Sequence, residues 1–161
     1  MDDLFYMNRA LELAKEAAAM GEVPVGCVIV RDGKIVAEGR NCRESDKSAL
    51  GHAEIRAIDA ACKALGGWRL WDCTLYVTLE PCPMCAGAII NARIPRVVYG
   101  AGDDKCGACG SVCNLFEMNF NHKPQVTKGV LEAESKALLE EFFRQLRETL
   151  RTRPKWQKPL V

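Results

Sequence analysis

No apolar run in the sequence approaches the roughly 18 residues that a membrane-spanning helix requires. Neither sign of charge is in excess: twenty-two basic residues stand against twenty-one acidic ones, a formal net charge of +1. Overall charge therefore argues neither for nor against a nucleic-acid partner, and any basic surface has to come from local clustering. There is no internal repeat and no linker, so the 161 residues read as one domain with a sizeable core. The opening Met1-Asp2-Asp3-Leu4 is acidic and lacks the basic start and apolar core of a secretion signal. With 48% hydrophobic and 27% charged residues, the composition is that of a soluble globular protein, and a cytoplasmic location is expected.

Cysteine, by contrast, is abundant, with nine residues at positions 27, 42, 62, 73, 82, 85, 106, 109 and 113. An odd number without a secretion signal argues against a disulfide framework. Some are then read as metal ligands and the rest as small buried hydrophobes. Cys27, inside the run 25–30, and Cys62, on a helical stripe, are of the second kind.

Leu4, Met7, Leu11, Ala14 and Ala18 recur in steps of three and four, which predicts an amphipathic helix stopped by Gly21. Residues 25–30 are apolar and rich in β-branched side chains, as in a strand buried on both faces. Arg31-Asp32-Gly33-Lys34 supplies a hairpin turn, and 35–37 return as a second strand. A helix over 52–65 follows, with Ile55, Ile58, Cys62 and Leu65 on one stripe and Gly66-Gly67 at its end. Strands at 74–79, 96–99 and 125–128 alternate with helices at 84–92 and 132–150, and 101–124 are irregular apart from a helical turn within 112–117. In the last helix Leu139, Phe143, Leu146 and Leu150 mark the expected core side. The pattern predicts an α/β fold of three layers, a mixed sheet of about five strands between helices, over residues 1–150. Residues 151–161 contain two prolines and no apolar period, and read as a basic tail.

Two short segments carry chemistry. His52-Ala53-Glu54 opens the second helix, and Pro81-Cys82-Pro83-Met84-Cys85 lies between a strand and a helix start. Cys82 and Cys85, three apart, both reach one spot from a helical first turn, where the positive helix end favours thiolates. His52 supplies a third ligand. One imidazole and two thiolates leave the fourth tetrahedral position of zinc to water, the mark of a catalytic site. Glu54 is placed to move protons rather than to ligate. Alone, the Cys-x-x-Cys pair fits a redox couple or half of a structural zinc site equally well. Together, His-x-Glu and Pro-Cys-x-x-Cys at strand-to-helix junctions make the signature of the zinc deaminases.

The likeness extends beyond the metal motif. Glu22-Val23-Pro24-Val25-Gly26, Gly39-Arg40-Asn41, His52-Ala53-Glu54, Trp68-Arg69-Leu70, the block from Leu75 to Ala88, Asn121-His122-Lys123 and Phe142-Phe143-Arg144 resemble the bacterial tRNA-specific adenosine deaminases, over roughly residues 5 to 150. The resemblance implies a cytidine deaminase-like fold, one zinc ion per subunit, a homodimer, and hydrolysis of adenosine to inosine at the tRNA wobble position. Zinc-bound hydroxide would attack C6 of adenine while Glu54 shuttles protons to N1 and to the leaving ammonia. Asn41 would hydrogen-bond the flipped base, and backbone around Pro24, Val25, Gly26 and Ala53 would shape its pocket. Asp103 and Lys105 would approach the anticodon backbone, and Phe142, Arg144 and Arg147 would help receive the RNA. From composition alone, Asn41 is equally a turn residue, Phe142 a core residue and the two arginines a solvated helix face. Still, Arg144, Arg147, Arg151, Arg153, Lys155 and Lys158 oppose a single acid, Glu148, and phosphate contact is the simplest use of such a cluster. Trp156 in the tail is able to stack on a base. The expected partner is a tRNA anticodon stem-loop, with neither DNA nor membrane.

The chain departs from the family in two places. Lys123 stands where arginine is common, and without arginine's planar fork a bidentate phosphate contact would weaken. Cys106, Cys109 and Cys113 crowd a loop that usually holds threonine or other small residues, and read as small turn residues, as a second metal site or as oxidation-prone thiols. The competing readings are a small-molecule nucleobase or nucleoside deaminase for guanine or cytosine, and a non-catalytic zinc-stabilised RNA-binding module. Glu54 argues against the last, because a binding module has no use for a proton shuttle.

Overall fold

The computed structural model describes residues 2–154. Helix α1 (Asp3–Ala19) leads to the hairpin of β1 (Gly26–Arg31) and β2 (Lys34–Arg40), then to α2 (Ala53–Leu65), β3 (Cys73–Leu79), α3 (Pro83–Asn91) and β4 (Arg96–Ala101). A single 3-10 turn at Leu115–Glu117 precedes β5 (Gln125–Lys128) and α4 (Glu132–Thr152). The five strands form one mixed sheet in the order β2-β1-β3-β4-β5. β1 is antiparallel to both neighbours, whereas β3, β4 and β5 run parallel.

Strand side chains alternate between two apolar layers, as the two-residue period requires. Cys27, Ile29, Leu75, Val77 and Val97 face α2 and α3, while Val28, Val30, Tyr76 and Val98 face α1. The predicted three-layer architecture is what the chain adopts. The hairpin turns through Asp32 and Gly33 with φ of 51° and 74°, the left-handed pair that a two-residue turn demands. The same hairpin carries one glycine toward each layer. A Cβ on Gly26 would overlap the Ala10 carbonyl of α1, and one on Gly39 the Ala53 carbonyl of α2. Both helices therefore lie against the hairpin at backbone contact distance. No helix among the described residues is long and apolar enough to cross a membrane.

Three expectations need correction. In α1 the buried face is Tyr6, Met7, Ala10, Leu11, Leu13, Ala14 and Ala17, and Leu4 is exposed. In α2 the core face runs through Ala53, Ala57, Ile58 and Ala61, with Ile55, Cys62 and Leu65 only half-buried. The close approach at Gly26 and Gly39 selects alanine-lined faces over bulkier ones. In α4 the stripe assigned to the core is not in it: Phe143 and Leu146 are each 40% exposed, and Ser135, packed on Gly100, is the buried residue. Beyond its first turns α4 overhangs a cavity mouth instead of covering the sheet. It also continues through Arg151 and Thr152. Lys155, Trp156 and Lys158 lie outside the described residues.

Candidate active site

The loops after β2, β3 and β4 and the segment before β1 converge at one end of the sheet, around a cavity of about 350 Å³. This is the crevice outside the carboxyl ends of β3 and β4, where open α/β sheets bind ligands. The volume falls in the range of small-ligand pockets.

His52 is the N-cap residue of α2 and Cys82 that of α3, both in extended backbone conformations and neither making a side-chain capping bond. Their side chains turn toward each other instead. His52 Nδ1 lies 3.5 Å from Cys82 Sγ and 3.5 Å from Cys85 Sγ. Pro83 at the first position of α3 pre-sets the turn that brings Cys85 back beside Cys82. A tetrahedral zinc ion with ordinary Zn–N and Zn–S lengths separates such atoms by about 3.5 Å, so the three donors fit that ion. They are the single group of three such side chains able to hold a metal among the described residues. Cys106, Cys109 and Cys113 form no second one: Cys109 is buried, while Cys106 and Cys113 are exposed.

The positive ends of α2 and α3 both point at this cluster. A hydrogen bond from the Cys85 thiol, assisted by His52, holds the Cys82 thiol at about 4. Cys85, the donor in that pair and largely buried, is pushed up. Glu54, the second residue of α2, is buried beside them, and burial raises its carboxyl to about 7.

Val25, Asn41, Ala53, Asp103 and Lys105 line the cavity with the metal cluster. Asn41 is buried; its Nδ2 donates to the Val23 carbonyl at 3.2 Å and its Oδ1 accepts from the Arg43 amide at 3.4 Å, which leaves one N–H and acceptor capacity for a ligand. Pro24 and Gly26 are buried but do not line the cavity, and Gly26 faces α1. Phe142 belongs to an adjoining groove of about 610 Å³ with Arg43, Leu146, Leu150 and Arg153. Arg144 and Arg147 are exposed and line neither. Arg144 is paired with Glu141 at 2.7 Å and Arg151 with Glu148 at 3.5 Å, so the basic cluster is less free than its sequence suggests.

Phe143 and Leu139 of α4 close the cavity from above, and Arg43, Cys106 and Glu80 join its walls. In the sequence Leu139 and Phe143 read as core, Cys106 stands out only with the other loop cysteines, and Arg43 and Glu80 carry no spacing signal. Two buried glutamates flank the cavity. Glu22 accepts from the Ser45 amide at 2.6 Å, the Ser45 hydroxyl at 2.7 Å and the Glu44 amide at 3.3 Å, which fixes the loop between Asn41 and His52. Glu80 accepts from the amides of Asp103 at 3.1 Å, Cys109 at 3.0 Å and Ser111 at 3.1 Å, and from the Ser111 hydroxyl. Burial alone would raise the Glu80 carboxyl, but these bonds outweigh it and hold the group below its usual range.

A model of the MafB19-like deaminase family matches residues 1–147. The tRNA-specific adenosine deaminase of Bacillus subtilis (strain 168) is 52% identical over 146 residues, which cover 90% of this chain and 91% of the relative. A structure solved in work on A-to-I editing by tRNA:A34 deaminases at the wobble position of transfer RNA superposes with a TM-score of 0.80 at 45% identity, covering 84% of this chain and 99% of that one. The guanine deaminase of Bacillus subtilis superposes less closely, with a TM-score of 0.63 at 34% identity over 96% of this chain and 99% of that one. The family match, the identity to the curated relative and the shared fold agree, and the chain belongs to the tRNA-specific adenosine deaminases.

Proposed function

We propose that this protein converts adenosine to inosine at the wobble position of tRNA, with water consumed and ammonia released. The observation that carries the reading is the buried Glu54 beside the His52, Cys82 and Cys85 cluster, at the floor of a cavity sized for a base. These three side chains would hold a zinc ion, which when bound would supply a Lewis acid and acidify a water to near neutral pH. Glu54 takes one proton of the attacking water and delivers it to N1 of the adenine. It then takes the remaining hydroxyl proton as the C6 oxygen becomes a carbonyl, and passes it to the amine, which leaves as ammonia when the C6–N bond breaks. Asn41 binds the base edge through its spare amide capacity, and Val25 and Ala53 wall the ring. Asp103 and Lys105 sit at the mouth, where the flanking backbone of a flipped nucleotide passes. Phe142 and the arginines of α4, Arg144 and Arg147, receive the RNA beyond it. Pro24 and Gly26 act from behind the wall, by fixing the segment that carries Val25. The working form is a homodimer in the cytoplasm with one zinc ion per subunit.

The test compares an anticodon stem-loop bearing a wobble adenosine with free adenosine, guanine and cytosine. Inosine is expected in the stem-loop alone. Ammonia from free guanine with the RNA untouched would instead place the chain with its guanine deaminase neighbour. Glu54→Ala should lower turnover by a factor of at least about 10³ while the zinc content, read by metal analysis, stays at wild-type level. Zinc loss in that variant would show Glu54 to be a ligand.

A further inference from the structure

We infer that Glu80 is a positioning residue for substrate binding, holding the loop after β4 in the one place where it completes the cavity mouth. The inference rests on the tRNA deaminase reading for its substrate, and on geometry for the rest. One carboxylate grips both ends of the loop: Oε1 takes the Asp103 amide at its start, and Oε2 takes the amides of Cys109 and Ser111 at its end. The Ser111 hydroxyl fills a further acceptor site on Oε1. An ionised carboxylate only accepts, and four donors on two oxygens use it almost fully. The grip is also steric, because a Cβ on Gly107 would overlap the Glu80 carboxyl group and the Asp103 carbonyl.

From this anchor the loop builds itself locally. Asp103 Oδ1 accepts from the Lys105 amide at 3.0 Å and the Cys106 amide at 3.2 Å, and the Asp103 carbonyl accepts from the Gly107 amide at 2.8 Å. Asp103, Lys105 and Cys106 thereby face the cavity. Glu80 itself is 2% exposed, one residue beyond β3, so the strand that leads to Cys82 also fixes the wall that carries Asp103 and Lys105. Glutamine at position 80 keeps the shape but presents an NH₂ group to amides that need an acceptor. The loop then samples other positions, and part of the bound state's order has to be regained on each binding event.

The experiment measures steady-state kinetics on the anticodon stem-loop, zinc content, and amide hydrogen exchange for wild type, Glu80→Gln and Ser111→Ala. In Glu80→Gln, KM should rise about tenfold with kcat within about threefold of wild type, as expected for one lost charged hydrogen bond acting on binding. Zinc should stay bound, and the amides of Asp103, Cys109 and Ser111 should exchange faster. Ser111→Ala, which changes a loop side chain and leaves the core intact, should raise KM about threefold in the same sense. Unchanged KM and unchanged exchange in either variant overturn the inference. So does a fall in kcat or in zinc content at constant KM, since Glu80 would then act on Cys82 and not on the loop. If Glu80→Gln does not fold, Ser111→Ala decides by the same criteria. A wild-type protein inactive on the stem-loop would remove the substrate reading, while the exchange measurement would still report whether Glu80 holds the loop.

Discussion

Asp3, in the first turn of α1, accepts from Arg96 at 2.9 and 2.8 Å and from the Tyr76 hydroxyl at 2.7 Å, tying the helix to β3 and β4. The Arg96 bonds hold its carboxyl below the ordinary 3.8, against the opposing effect of burial. A carboxyl with a depressed folded-state pKa contributes stability above its unfolded value, and loses it as pH falls through the folded one. Asp3→Asn should therefore destabilise the protein by about 1 kcal/mol at pH 7, a figure kept small because the pair is partly exposed. In denaturant titrations the gap to wild type should shrink below about pH 4; an equal gap at pH 3 and pH 7 would refute the ionic origin. At this scale the sequence reveals the residues whose type the chemistry dictates. Imidazole, thiolates at a spacing of three and an adjacent carboxylate are all visible in the chain. Glu22 and Glu80 are not, because their partners are mostly backbone amides of distant loops, and no residue type marks an amide. Phe143 was misplaced for a related reason: periodicity identifies an apolar face without saying whether core or cavity lies opposite it.

At the scale of elements, strand positions and helix ends were legible because turn residues and caps are local. The faces of α1 and α2 were not. Their packing is set by Gly26 and Gly39, which admit Ala10, Ala14, Ala53 and Ala57 at backbone distance, so small residues occupy the contact and larger ones its margins. Gly39→Ala should force α2 off the hairpin at the end that carries His52 and Glu54. We expect a loss of about 1–3 kcal/mol in unfolding free energy, typical of overpacking, together with sub-stoichiometric zinc by metal analysis. A variant that is destabilised yet fully metallated would show that α2 yields elsewhere along its length.

For the whole molecule, the cluster joins two helices whose strands belong to different halves of the sheet, α2 beside the antiparallel hairpin and α3 in the parallel crossover from β3 to β4. A metal bound there is linked to the folding of both halves. Stripping zinc with a chelator should lower Tm by roughly 5–10 °C in calorimetry. An unchanged Tm in protein shown to be metal-free would mean that the two helix starts are held without it. The three-layer plan itself was legible, since alternating strands and helices admit few arrangements. The anchoring of the loop after β4 has a further consequence for how such a protein can change. Its position depends on backbone amides, the Ser111 hydroxyl, the Asp103 carboxylate and the bare α-carbon of Gly107, not on the side chains of Asp104, Lys105 or Cys106. Those positions can be rewritten, by drift or in a laboratory library, with little penalty to the fold. The exposed Cys106 is one outcome of that latitude, and new preferences for the bases beside the target adenosine are most readily sought there.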